Sequence, residues 1–288
     1  MLPWYAYALL SAVFAAAFFI VRKKGLEREQ SLPFDSTRFL IQAGILLCLG
    51  PFLTFRFPLW LVGVIFLNSF VLIVAVRLMG KSLKHEAISS LAPLQNITPV
   101  LVLLLATVFL EETLASNQLF GIGLLIVGAY VLEVDRGFKD VLSPFRKLGR
   151  PFVLFFVVAM VLLSVTATVE KFVLNVAASP LELLLYSWVF IAMNLNLIEA
   201  VKTGGFSYVR KTLKHTRGLV FVTALLALVA IGLYFYAVSL SFVSLALPVK
   251  RLETLISTVV GGELFHEKGL FWKIAACVIM LTGVFFII

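Results

Sequence analysis

Residues 244–288 read SLALPVKRLETLISTVVGGELFHEKGLFWKIAACVIMLTGVFFII, two apolar runs around the polar break His266-Glu267-Lys268-Gly269. Lys250 and Arg251 stand well inside the first run. A charge near the centre of a bilayer costs about 2.5–3.5 kcal/mol on insertion scales, so it is seldom there without a partner or a ligand. The stretch has an echo 155 positions earlier: with no gap, Pro248 falls on Pro93, Glu267 on Glu112 and Gly283 on Gly128. The punctuation matches while the residues between do not, which points to a duplicated unit.

Composition sets the class. The 288 residues are 61% hydrophobic and 14% charged, with a mean hydropathy of +1.07. Soluble domains run nearer a quarter charged, so this reads as an integral membrane protein. The net charge of +9 raises the question of nucleic acid, but the basic residues sit in short loops between apolar runs. Lys and Arg so placed mark the cytoplasmic side of a membrane, and no nucleic-acid partner is expected. Cys48 and Cys277 lie in apolar runs, which leaves no disulfide framework or thiolate metal site. His85, His215 and His266 are far apart in sequence, so neither a metal nor a cofactor is expected. The first apolar run, 3–21, has no basic residue before it and no small-residue cleavage site before Arg22-Lys23-Lys24; it reads as a retained helix.

Ten runs have the length of a span: 3–21, 34–54, 58–80, 87–110, 115–134, 151–174, 180–201, 218–240, 243–265 and 269–288. Pro93 and Pro248 lie a turn or two inside their runs, where proline frees a carbonyl and kinks a helix. The longest polar connections, 135–150 and 202–217, are too short for a soluble domain, and neither carries a phosphate-binding loop.

The loop charges fix the arrangement. The loops after spans 1, 3, 5, 7 and 9 collect twenty Lys and Arg, counting Arg38 with the first, whereas those after spans 2, 4, 6 and 8 collect only Arg56. By the positive-inside rule the rich face is cytoplasmic and both termini lie outside. If spans 6–10 copy spans 1–5, each pair of equivalent loops has reversed charge. A unit with an odd number of spans must insert its second copy upside down, as in the inverted repeats of many transporters, whose substrate site lies near the midplane. The expectation is an all-α polytopic membrane protein of ten transmembrane helices in two inverted five-helix repeats. Residues 1–137 form the first, 138–150 a cytoplasmic linker and 151–288 the second.

Leu91–Leu132, with Pro93, Glu111-Glu112, Gly121 and Gly128, resembles the EamA-type half of the drug/metabolite transporter superfamily. Pro248, Gly261-Gly262, Glu267 and Gly283 repeat the pattern in the second half. The resemblance implies a ten-helix carrier of small metabolites working by alternating access, in a family whose members move amino acids, choline, nucleotide sugars and sugar phosphates. Val249-Lys250-Arg251 is also similar to the Lys-Arg pair with which plastid phosphate translocators hold a substrate phosphate. Several relatives have cytoplasmic termini, whereas the charges here favour the opposite.

The candidate substrate-binding residues follow from polarity at membrane depth. Lys250 and Arg251 offer a cationic site, with Arg suited to bidentate contacts. Their alternative is structural, since Glu253 is three residues beyond Lys250 and within reach on the helix surface. Glu170 is a counter-charge for that pair or the carrier of a coupling proton, and Lys171 either joins it or snorkels to the interface. Tyr234 and Tyr236, with Asn68 and Ser69, offer hydrogen bonds or, for the tyrosines, belt positions. Gln95 and Asn96 are the first-repeat counterparts of Lys250 and Arg251. Glu112 and Glu267 read as caps at helix breaks, Gly121, Gly123 and Gly128 as packing glycines, and Asn194, Asn196 and Glu199 as gate or interface residues.

The function expected is secondary-active transport of a small polar metabolite, anionic or zwitterionic, across the cell membrane, with a coupling proton or counter-substrate allowed for. The alternatives are a flippase for a lipid headgroup or polyprenyl phosphate, and a membrane-embedded lipid-modifying enzyme. The enzyme is disfavoured because such sites cluster Asp or His, whereas the three aspartates here are Asp35, Asp135 and Asp140.

Overall fold

All ten apolar runs have helical counterparts. The structure, a computed structural model, describes residues 2–52, 57–86, 91, 94–133, 150–177, 179–203, 205–264 and 270–288. Pro93, the His266-Glu267-Lys268-Gly269 stretch and residues 134–149 lie outside the described residues. The described helices are α1 (Trp4–Leu26), α2 (Ser31–Leu49), α3 (Leu59–His85), α4 (Ile97–Leu110), α5 (Ser116–Glu133), α6 (Pro151–Ala177), α7 (Pro180–Thr203), α8 (Ser207–Thr216), α9 (Leu219–Leu240), α10 (Val243–Lys250), α11 (Leu252–Leu264) and α12 (Leu270–Ile287). Six of them, α1, α2, α3, α6, α7 and α9, are long and apolar enough to cross a bilayer unaided. Pro151 and Pro180 open α6 and α7 from the first helical position, where a missing N–H costs nothing.

Two expectations need correcting. The ninth run, 243–265, is not one helix: α10 ends at Lys250, Arg251 forms a turn, and α11 begins at Leu252. Pro248 has no amide to give Ser244 O within α10, and at the break the Arg251 amide is shared between Leu247 O and Pro248 O, both at 3.1 Å. Asn96, the 155-offset counterpart of Arg251, forms a turn just before α4. The connection 202–217 is not wholly a loop either, because Ser207–Thr216 is helical with Tyr208, Thr212 and Thr216 on its buried face. Arg217 (φ 49°) and Gly218 (φ 86°) then turn the chain into α9 through two successive left-handed residues, the second of a kind that glycine adopts freely.

The chain divides into two compact units. Unit 1 holds Met1–Phe70 and Val173–Leu240; unit 2 holds Val71–Phe172 and Ser241–Ile288. Each draws helices from both halves of the sequence. Within unit 1, α1 packs on α9 through small residues: Ala8, Ala12, Ala15 and Ala16 on one side, Ala224, Ala227, Ala230 and Ala237 on the other, all buried. Without a hydrophobic drive between helices in lipid, such close approach supplies the van der Waals contact that holds them. Ser11 Oγ donates to Ala230 O (2.7 Å) across this seam. Within unit 2, α5 packs closely on α12, and a core of Leu91, Leu94, Val153, Phe156, Ala159 and Met160 lies elsewhere in the unit.

Repeat mates run antiparallel. On α5 and α12, Gly121 lies against Gly283 while Gly128 lies against Ala276 and Met280. On α2 and α7, Ser36 meets Asn196 while Gln42 meets Trp188. Rising numbers on one helix face falling numbers on its mate in both pairs, the geometry of an inverted repeat. Gly121 and Gly128 are packing glycines, whereas a Cβ on Gly123 would meet nothing within 4 Å, so that glycine serves no close approach.

Candidate functional site

In unit 2 the polar residues gather around the start of α10 and its kink. Glu112 follows α4, whose last turn closes with Glu111 in the left-handed region and the Glu112 amide on Ala106 O. That turn carries the Glu112 side chain, 2% exposed, to the α10 N-terminus. Its carboxylate accepts from the Val243 amide (2.9 Å), the Ser244 amide (3.2 Å) and the Ser244 hydroxyl. The cap is therefore long-range, spanning 131 positions, where the sequence suggested only a local break. Lys171 completes the corner from α6. It is 6% exposed, donates from Nζ to Ser241 O (2.7 Å) and interacts electrostatically with Glu112. Glu112→Ala should lower stability by about 0.5–2 kcal/mol, the range for a lost helix cap, with Glu112→Gln losing less. Denaturant midpoints of the purified variants check this.

Next to Lys171, Glu170 interacts electrostatically with Lys250 at the end of α10. Arg251 follows in the turn, with its Nε buried and meeting no acceptor. Glu253, the structural alternative as a partner for Lys250, has its Oε2 buried with no hydrogen-bond partner among the described residues. Gln95 and Asn96 lie beside the start of α4, which packs on α10, and Asn96 is buried. Thr98, the counterpart of Glu253, donates to Met160 Sδ (3.2 Å). Of the residues singled out for binding substrate, unit 2 thus carries Lys250, Arg251, Glu170, Lys171, Gln95 and Asn96.

Unit 1 carries Asn68, Tyr234 and Tyr236. Tyr236 stacks on Tyr7 with centroids 5.7 Å apart, and Tyr234 is buried beside Phe235. Asn68 is buried with its Oδ1 lacking a donor, while the adjacent Ser69 Oγ accepts from Asn194 Nδ2 at 2.8 Å. Asn196 bonds to Ser36 O (3.1 Å) and Ala192 O (2.7 Å) and accepts from the Tyr208 hydroxyl, fastening α8 to α7 and α2. Burial, and then the Glu199 carboxylate, raise the Tyr208 hydroxyl above the ordinary phenol value, which keeps it a donor.

The sequence reading missed the main polar network of this unit. Arg38, counted above with the loop charges, is buried at 8% exposure inside α2. Asp35 accepts from Arg22 through Nε (3.1 Å) and Nη2, and from Arg38 Nε (3.3 Å). Arg38 Nη1 continues to Gln42 Oε1 (3.2 Å), which also takes Trp188 Nε1 (2.9 Å), while Gln42 Nε2 donates to Ala224 O (3.0 Å). The Arg38 guanidinium lies 4.2 Å from the Phe39 ring centroid. The one available signal was a lone Asp three residues before an Arg, ahead of a Gln one turn on.

The helices, the antiparallel mates and the buried charges define a polytopic membrane protein built as a two-repeat helical bundle. The chain belongs to the EamA-like transporter family, which matches residues 2–134 and 150–288. No curated protein matches it at a significant level. Among solved structures sharing the fold is one described only as a crystal structure of a protein, with a TM-score of 0.72 and 15% identity over 98% of this chain and 97% of that one.

Proposed function

We propose that this transporter moves a small polar metabolite bearing a carboxylate or phosphate, anionic or zwitterionic, by alternating access. The observation that carries the reading is the kink at Arg251: a proline-weakened break inside a membrane helix, flanked by Lys250 and by a guanidinium whose Nε is buried without an acceptor. Broken helices at membrane depth are where secondary transporters bind substrate, and Arg is suited to bidentate recognition of such anions. In this reading Glu170 balances Lys250 while the site is empty. Lys171 and Glu112 hold the corner from which α10 departs. Asn96 lines the same level in the first repeat. The loop charges support a cell-membrane protein with its basic loops in the cytoplasm and both termini outside. The two inverted repeats are taken as 1–137 and 151–288, joined by a cytoplasmic linker.

Thermal unfolding of the purified protein against a metabolite panel tests this. Ligands acting through the cationic site should raise Tm of the native protein, by about 2.7 kcal/mol of stabilisation at a hundred times Kd, and leave a Lys250→Ala, Arg251→Ala variant unmoved. Equal stabilisation of both proteins by anionic compounds would remove these residues from the site.

A further inference from the structure

We propose that α8 is a membrane-surface helix of unit 1 that binds anionic lipid headgroups through Arg210, Lys214 and Arg217. Helical spacing sorts its ten residues, SYVRKTLKHT, onto separate sides. Tyr208, Thr212 and Thr216, each a turn apart, are buried, and the helix packs on α2 and α9. One flank is apolar: Phe206 at the N-cap is 60% exposed and Leu213 45%, with Val209 between them. Arg210 and Lys214, a turn apart, are exposed on the side away from Thr212, and Arg217 is exposed at the C-cap.

This sorting is the reverse of a helix docked on a water-soluble core, which turns its apolar stripe inward. Here hydroxyl-bearing side chains face the protein, and the phenylalanine and leucine are left outside. A large apolar side chain beside outward cations suits the boundary between acyl chains and headgroups, where helices lie in the membrane plane. Charge complementarity names the lipid. No Asp or Glu occurs between Ala200 and Leu252. Acidic groups do approach the opposite flank of α8, where Glu29 Oε2 lies 3.3 Å from His215 Nδ1 and Glu27 and Lys211 line the same cleft. Arg210, Lys214 and Arg217 lie outside that cleft and face a headgroup layer as cations.

The helix is also tied to the spans behind it. Tyr208 donates to Asn196 of α7, and Asn196 in turn donates to Ser36 O of α2 (3.1 Å). A phosphodiester held by the guanidinium and ammonium groups on the outer side of α8 therefore braces the α2–α7 pair through charge-assisted hydrogen bonds.

The test uses the full-length protein with Leu213→Cys carrying a fluorescent label, in a background of Cys48→Ser and Cys277→Ser. In vesicles of phosphatidylcholine and phosphatidylglycerol, lipids brominated on the acyl chain should quench the label and soluble iodide should not. In detergent, phosphatidylglycerol should shift its emission saturably, while glycerol phosphate leaves it unmoved. Arg210→Gln with Lys214→Gln should weaken that binding about thirtyfold, the equivalent of about 2 kcal/mol for two basic residues at an anionic surface. Arg77→Gln with Lys81→Gln removes the same charge from exposed positions on α3 and should leave the binding unchanged. A second readout needs no label: phosphatidylglycerol should raise Tm of the native protein more than phosphatidylcholine does. Quenching by iodide alone overturns the proposal. So does equal weakening by the two pairs, an equal response to glycerol phosphate or phosphatidylcholine, or a Tm that does not distinguish the two lipids. No arm involves substrate or the residues of the cationic kink, so this proposal and the transporter reading fail separately.

Discussion

Alanine at position 121 should loosen the α5–α12 contact by about 1–3 kcal/mol, the cost of forcing an extra carbon into a packed interface. The added Cβ would lie 2.6 Å from the Gly283 carbonyl oxygen and 2.8 Å from Ile287 Cγ1. The first of these is backbone, so no rotamer change relieves it and the helices themselves must separate. Gly283→Ala meets the same obstacle from the other side, 2.7 Å from the Gly121 oxygen. Because both substitutions separate the same pair of helices, the double variant should cost less than the sum of the singles. Gly123→Ala is the control, since it faces open space and gains helix propensity. Unfolding of the purified proteins in a denaturing detergent series measures all four. Equal midpoints for the alanine variants at 121 and 123 would show that the seam tolerates the carbon.

Asp35→Asn should be more damaging, by about 3–5 kcal/mol, because removing one member of a buried ion group strands the charges left behind. Asp35 holds both Arg22 and Arg38, and Arg38 is nine-tenths buried. With an amide at 35, two guanidinium groups remain close together with no anion between them. Arg38→Met is milder in this account: Arg22 still neutralises Asp35, and the loss is confined to the Gln42 hydrogen bond and the stacking on Phe39. Combining Asp35→Asn with Arg38→Met should therefore recover part of the loss of Asp35→Asn alone. Thermal unfolding of the three variants decides it. If Asp35→Asn is no worse than Arg38→Met, charge balance is not what holds this network.

The contrast between these two sites shows what a linear chain reveals. Gly121, Gly128 and Gly283 were legible because small residues punctuating an apolar run have few other uses there, whereas Gly123, read the same way, faces open space. The spans, the duplication and the break near Pro248 were legible for a similar reason: length, proline and charge placement act locally. Arg38 was misread because a basic residue close to a loop looks the same whether it faces water or the bundle. What distinguishes the two is contact with Gln42 and Trp188, and the latter lies 146 positions beyond Gln42. Lys171 and Glu112 were noticed for their polarity, but their partners, Ser241 and Val243, are backbone groups that no residue type announces. The α8 helix escaped for a different reason. Its buried face is Tyr208, Thr212 and Thr216, too polar to register as an apolar stripe.

The Glu112 corner also bears on how the protein is made. A ribosome delivers Glu112 long before Val243 and Ser244, so the acceptor is threaded into the membrane while its donors do not yet exist. Until the later helix arrives, that carboxylate must wait in contact with water, lipid headgroups or the insertion machinery. The earlier half is thus left unfinished at one corner, and the last third of the polypeptide settles it into place.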